Sequence, residues 1–160
     1  MAAALGLCIG GCGRLGDVVS GYPARDCHPD PKTVAALRQE PVLTQAPPGA
    51  TLSAATETVS CGWVDSKPLN LGMLDGEVTG AGAADEVSRF YEALARSSGW
   101  KASGQGSLVF QDMAGRHHVY DASKPDGTNC EWGLQVLSTA EGVYHVQITY
   151  TPRDLRPTCL

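Results

Sequence analysis

No stretch of eighteen apolar residues occurs anywhere in this 160-residue chain, so it holds no segment fit to cross a bilayer as a helix. Positive charge is also scarce. Twelve Lys and Arg against seventeen Asp and Glu leave a net charge of −5, the wrong sign for a phosphate backbone, so nucleic acid is not an expected partner. Phenylalanine occurs twice, which leaves Trp and Tyr to supply the large core side chains. Cysteine pairs at metal-ligand spacing are nearly absent. Cys8 and Cys12 are the only close pair, and a zinc site of the C-x₂₋₄-C type needs a second one. Catalytic signatures are missing too: no G-x-S-x-G elbow surrounds any serine, and no catalytic residue is assigned. Gly11 to Gly16 matches G-x-G-x-x-G in form. However, Ser20-Gly21-Tyr22-Pro23 stops any following helix, and no βαβ unit is present to hold a dinucleotide. No cofactor is expected.

What the chain does have begins at Ile9-Gly10-Gly11-Cys12, the end of a short uncharged apolar run. Two tiny residues and a branched aliphatic one before a cysteine suit a peptidase that must close around the backbone. This motif resembles a bacterial lipobox. The resemblance implies that Cys12 is lipidated with palmitate-class acyl chains and that the peptide before it is removed. Residues 1–11 are then a signal peptide, and the protein is anchored on the outer face of the cytoplasmic membrane. Only eleven residues precede Cys12 and none is positively charged, as expected if the true start lies upstream.

Six cysteines occur: Cys8, Cys12, Cys27, Cys61, Cys130 and Cys159. Cleavage removes the first and lipidation consumes the second, leaving four in a compartment where disulfides persist. Four cysteines allow three connectivities. Cys61–Cys130 and Cys27–Cys159 are favoured, because the first two lie in expected strands of the body and the other two near the chain ends.

Residues 12–29 have glycines and a proline with little periodicity and read as a tether; residues 30–160 read as a single domain. Asp30-Pro31 is a helix start, with Val34, Ala35 and Leu37 as a short apolar stripe before Pro41. Residues 51–64 and 71–78 read as strands. From Ala84 to Ser98, Val87, Phe90, Tyr91, Leu94 and Ala95 fall on one face of an amphipathic helix. Asp85 and Glu86 stand at its start and Gly99 just past its end. After Gly99 the period becomes two, with strands expected at 108–110, 116–121, 131–137 and 143–150, separated by turn residues. Short loops force neighbours antiparallel, so the expected fold class is α+β: one main amphipathic helix packed on a curled antiparallel sheet, with a short N-terminal helix.

This layout, from about Val42 to Pro152, resembles small actinobacterial secreted or lipoprotein domains. The marks are a proline-containing stretch before a cysteine-bearing strand, Phe90-Tyr91 on a helix ending in Gly99-Trp100, and a strand meander ending in Tyr150-Thr151-Pro152. The abundance of alanine and glycine, nineteen each, agrees with such a source. The resemblance implies a fold and a location, and no activity.

Three groups of side chains are candidates for chemistry. His117 and His118 point to opposite faces of a strand and cannot share one metal. His118 and His145, however, could meet across neighbouring strands, with Asp112 or Asp121 completing a site. Trp63, Trp132 and Tyr144 are amphipathic aromatics that fill the core or, on an uncovered face, line a ligand surface. The expected function is that of a lipid-anchored envelope protein, a non-catalytic binding or structural module whose partner is an envelope protein or a cell-wall ligand. The alternative is a secreted hydrolase or metal-handling protein built on the histidine-bearing sheet.

Overall fold

The computed structural model describes residues 28–64, 67–103, 116–127 and 130–152, and the side chains of all of these except 61–70. Helix α1 spans Pro31–Leu37. Its start is fixed by Asp30, whose Oδ1 accepts from the Lys32 and Thr33 backbone N–H groups and whose Oδ2 accepts from Thr33 Oγ1 at 2.9 Å. A side-chain cap of this kind satisfies donors that the first helical turn leaves orphaned. A 3-10 turn at Pro41–Leu43 follows. Then come β1 (Thr51–Leu52), β2 (Thr56–Val64), β3 (Lys67–Thr79), α2 (Ala84–Ser97), β4 (Lys101–Ala102), β5 (His117–Pro125), β6 (Glu131–Ala140) and β7 (Val143–Tyr150).

The seven strands of the described residues join one antiparallel sheet in the order β1-β3-β7-β6-β5-β4, with β2 also on β3. β1 and β2 run in succession along the same edge of β3, pairing with residues 78–79 and 67–75 respectively. The single strand expected over residues 51–64 is therefore broken at Ser53. Its backbone N–H reaches Glu77 O and its hydroxyl accepts from Glu77 N–H. A serine that can bond the backbone through its side chain offers the ladder a local alternative. The other edge of β3 pairs with β7, from Gly72↔Tyr150 to Thr79↔Val143.

One face of the sheet carries the core. Leu74, Val78, Leu134, Val136, Tyr144, Val146, Ile148 and Tyr150 meet Val34 and Leu37 of α1, Val42 and Leu43 of the turn, and Val87, Tyr91 and Ala95 of α2. The three α2 residues are fully buried at the i, i+4, i+8 spacing expected. The helix stops as its sequence indicates. Gly99 takes φ +84° and the Trp100 N–H bonds back to Ala95 O at 3.0 Å, a Schellman closure that seats Trp100 in the core.

The expected fold class is corrected. The described residues are mostly antiparallel sheet, seven strands against two α-helices of 7 and 14 residues, and α2 meets chiefly β5, β4, β6 and the 3-10 turn. A helix of that length is about 21 Å long and about 10 Å wide, while strands lie about 4.8 Å apart. It covers two or three strands, and the rest of the core face is closed by α1 and the turn. The strand expected at residues 108–110 lies outside the described residues.

Candidate functional site

The helices and the 3-10 turn take one face of the sheet, and the polar side chains that sequence reading singled out stand on the opposite one. Strand register sets them in two rows. Asp75, Gln147, Gln135 and Asp121 are successive cross-strand partners on β3, β7, β6 and β5. One step along, Glu77, His145, Leu137 and His118 form the second row on the same four strands. Alternation on β7 produces this separation: Tyr144, Val146, Ile148 and Tyr150 enter the core, while Val143, His145, Gln147 and Thr149 turn the other way.

The centre of the face is a hydrogen-bonded group. His145 Nδ1 lies 2.9 and 3.2 Å from the two Asp75 carboxylate oxygens, and Gln147 Nε2 donates to Asp75 Oδ2 at 3.3 Å. Gln147 is only 5 % exposed, so this amide is satisfied by a charged acceptor in a site largely closed to water. On the other side of the ring, His145 Nε2 stands 3.8 Å from Glu77 Oε2. The side chains of His145 and Asp75 are about four-fifths buried and Glu77 is half-exposed. A carboxylate accepts and cannot donate, so the hydrogen between Asp75 and the ring resides on Nδ1. That fixes the tautomer of a neutral ring and leaves the Nε2 lone pair directed away from Asp75.

His118 forms a second, separate pair, with Nδ1 3.3 Å from Asp121 Oδ1. Three residues apart on a regular strand, these side chains would point to opposite faces. The pairing register slips between His118 and Tyr120, and this bulge returns both to one face. The expectation that His118 and His145 meet is corrected. They lie on β5 and β7, with β6 between them, and each is the cross-strand partner of buried Leu137. Their backbones are two strand spacings apart, about 9.6 Å, with Leu137 between them, and each ring is turned to its own aspartate, His118 to Asp121 and His145 to Asp75. Among the described residues no three His, Cys, Asp or Glu side chains converge as a ready-made metal site. Asp112 lies outside the described residues.

The aromatic ligand surface is corrected as well. Tyr144 is 3 % exposed in the core and its hydroxyl donates to Gly82 O at 2.8 Å. Trp132 is half-buried against the same core. Its ring and that of Trp100 flank the Lys124 ammonium at 5.9 and 5.8 Å, within range of a cation–π contact. That ammonium donates to Glu40 Oε1 at 2.7 Å while Trp100 Nε1 donates to Glu40 Oε2 at 3.1 Å. Trp132 is thereby committed to an internal cluster that ties β6 and β5 to the segment before the 3-10 turn. The side chain of Trp63 lies outside the described residues.

Cys130, 4 % exposed, is disulfide-bonded. Cys12, expected from the sequence to be lipidated, lies outside the described residues with Cys27 and Cys159, as does the side chain of Cys61. Burial pushes the Tyr91 phenol well above the ordinary tyrosine range. Tyr150 is raised likewise, by burial and then by the Glu57 carboxylate that its hydroxyl contacts at 2.6 Å.

Asp75 and Glu77 are the site residues that sequence reading missed. Alternation places Gln147 on the face of His145, but no local signal points from His145 to a carboxylate seventy residues upstream. No family model matches the chain, and no curated protein or solved structure gives a significant match.

Proposed function

We propose that this protein is a lipid-anchored module of the cell envelope, held on the outer face of the cytoplasmic membrane through Cys12, where it binds a partner without catalysing a reaction on it. The observation that carries this reading is the disulfide at Cys130. Disulfides persist in oxidising compartments and are rare in cytosolic proteins, and the lipobox-like Ile9-Gly10-Gly11-Cys12 supplies a route to such a compartment. No described helix is long and apolar enough to cross a membrane, so an anchor of another kind fits. Each acyl CH₂ buried in the bilayer contributes about 0.8 kcal/mol, and several chains hold far better than one. Anchoring also raises local concentration, so even a weak binder can serve there. The partner is an envelope protein or a cell-wall ligand that meets the amides and carboxylates of the sheet face opposite the helices.

A secreted hydrolase or metal-handling protein is the second reading, and the Asp75–His145 pair is the observation that favours it. Intact mass of the protein taken from membranes of its native host tests the first. A chain beginning at Cys12, heavier by acyl groups and lighter by four hydrogens for two disulfides, is expected, and Cys12→Ala should move the protein from the membrane fraction to the soluble one. An unmodified chain with free thiols would overturn the anchor and the location together.

A further inference from the structure

The ring of His145 stands between two carboxylates, Asp75 on one side and Glu77 on the other. Asp75 takes the Nδ1 hydrogen at 2.9 Å, so in the neutral ring the Nε2 atom presents a lone pair. The nearest carboxylate oxygen on that side, Glu77 Oε2 at 3.8 Å, is also an acceptor. With the ring neutral, two acceptors face each other on directly paired residues of β3 and β7, an arrangement that either a second ring proton or a metal ion reconciles, the two competing for Nε2.

We infer that His145 Nε2 and Glu77 Oε2 form a two-point site for a divalent transition-metal ion of the zinc type, with Asp75 as the positioning residue that orients the imidazole. A carboxylate on the far nitrogen of a metal-binding histidine fixes the tautomer and raises the basicity of the ligating nitrogen. Imidazole with carboxylate suits zinc-like ions better than magnesium, which prefers oxygen ligands. Tetrahedral zinc bonds of about 2.1 Å separate their two donor atoms by roughly 3.4 Å. The 3.8 Å observed asks Glu77 to move by a few tenths of an ångström, and its side chain is 50 % exposed. Water completes the coordination, so the ion is held weakly and exchangeably and keeps open positions toward a ligand. His118, two strands away beside Asp121, takes no part. This site stands or falls independently of the lipid anchor.

Calorimetric titration of the full, oxidised chain with Zn²⁺, and with Mg²⁺ as the hard-cation control, tests the inference. One Zn²⁺ per chain and no Mg²⁺ heat are expected. His145→Ala should abolish the binding, Glu77→Gln should weaken it at least tenfold, and His118→Ala should leave it unchanged. Asp75→Ala should weaken it by roughly 10–100-fold, and nitrogen NMR of His145 should show the hydrogen leaving Nδ1, a change that a merely structural role for Asp75 would not produce. Glu77→Gln alters a half-exposed side chain, so it decides the matter even if His145→Ala does not fold. The inference is overturned if Zn²⁺ gives no saturable heat, if binding survives His145→Ala, or if Glu77→Gln binds as tightly as the parent chain.

Discussion

Gly72 shows how a single missing side chain is used. Its cross-strand partner is Tyr150, and a Cβ built on Gly72 would fall 2.1 Å from the Tyr150 ring. The ring lies over the bare backbone of β3 and sends its hydroxyl to Glu57 on β2 at 2.6 Å. Three strands are thereby joined by one aromatic, a recognised use of an aromatic placed over a glycine in a sheet. Gly72→Ala should displace the ring and cost about 1–3 kcal/mol, the usual range for overpacking. Urea denaturation followed by tryptophan fluorescence would read it, and a change within a few tenths of a kcal/mol would show that the ring can move aside freely. The chemistry-bearing residues are equally local in kind and non-local in arrangement. His145 is conspicuous in the sequence, whereas Asp75 acquires meaning only once β3 lies beside β7.

Among the elements, α2 is the one whose sequence carries the most information. Its apolar positions at i, i+4 and i+8 are the fully buried ones, and its exposed face holds the i,i+4 pairs Asp85–Arg89 and Glu92–Arg96. Such exposed pairs contribute little. Tyr91→Ala should therefore destabilise by about 3–5 kcal/mol, as aromatic truncation in a core does, while Arg89→Ala should stay within about 0.5 kcal/mol. Equal effects in chemical denaturation would mean that the helix is held by its surface. β7 was legible for a similar reason, since its strict alternation separates core from polar face. The split of residues 51–64 into β1 and β2 was not, because Ser53 breaks the strand by bonding to Glu77, a residue distant in sequence. The bulge in β5 was hidden as well. It exists in relation to β6, and so the pairing of His118 with Asp121 could not be foreseen. The weight of the sheet over the helices escaped for the same cause: helical periodicity is local, but strand partnership is decided by the whole chain.

For the whole molecule, pH provides a test that joins several buried groups. The phenols of Tyr91, Tyr150, Tyr120 and Tyr144 are all raised, burial being the largest cause in each. The folded protein therefore keeps tyrosine protons that the unfolded chain releases near pH 10. Below that value both states are protonated and these groups give no pH dependence. Above it the unfolded state binds fewer protons, so stability should fall progressively as pH rises past about 10. Thermal melts between pH 8 and 11 would measure this, and tyrosine absorbance should show native phenols ionising later than those of the urea-unfolded chain. A melting temperature unchanged across that interval would contradict the burial seen for these rings.

β3 is second from one edge of the sheet, with β1 and β2 along one side and β7, the last of the described strands, along the other. The pairing of Gly72 with Tyr150 closes a loop of almost half the chain. Contacts so distant in sequence are slow to form, because loop-closure entropy must be overcome before they stabilise anything. A growing chain can build the β2–β3 hairpin and α2 early, yet β3 keeps a bare edge until residues 143–150 have emerged. Completion of the sheet thus waits for β7 to be made, and a chain interrupted short of it is left with an open edge on β3, available to pair with its neighbours.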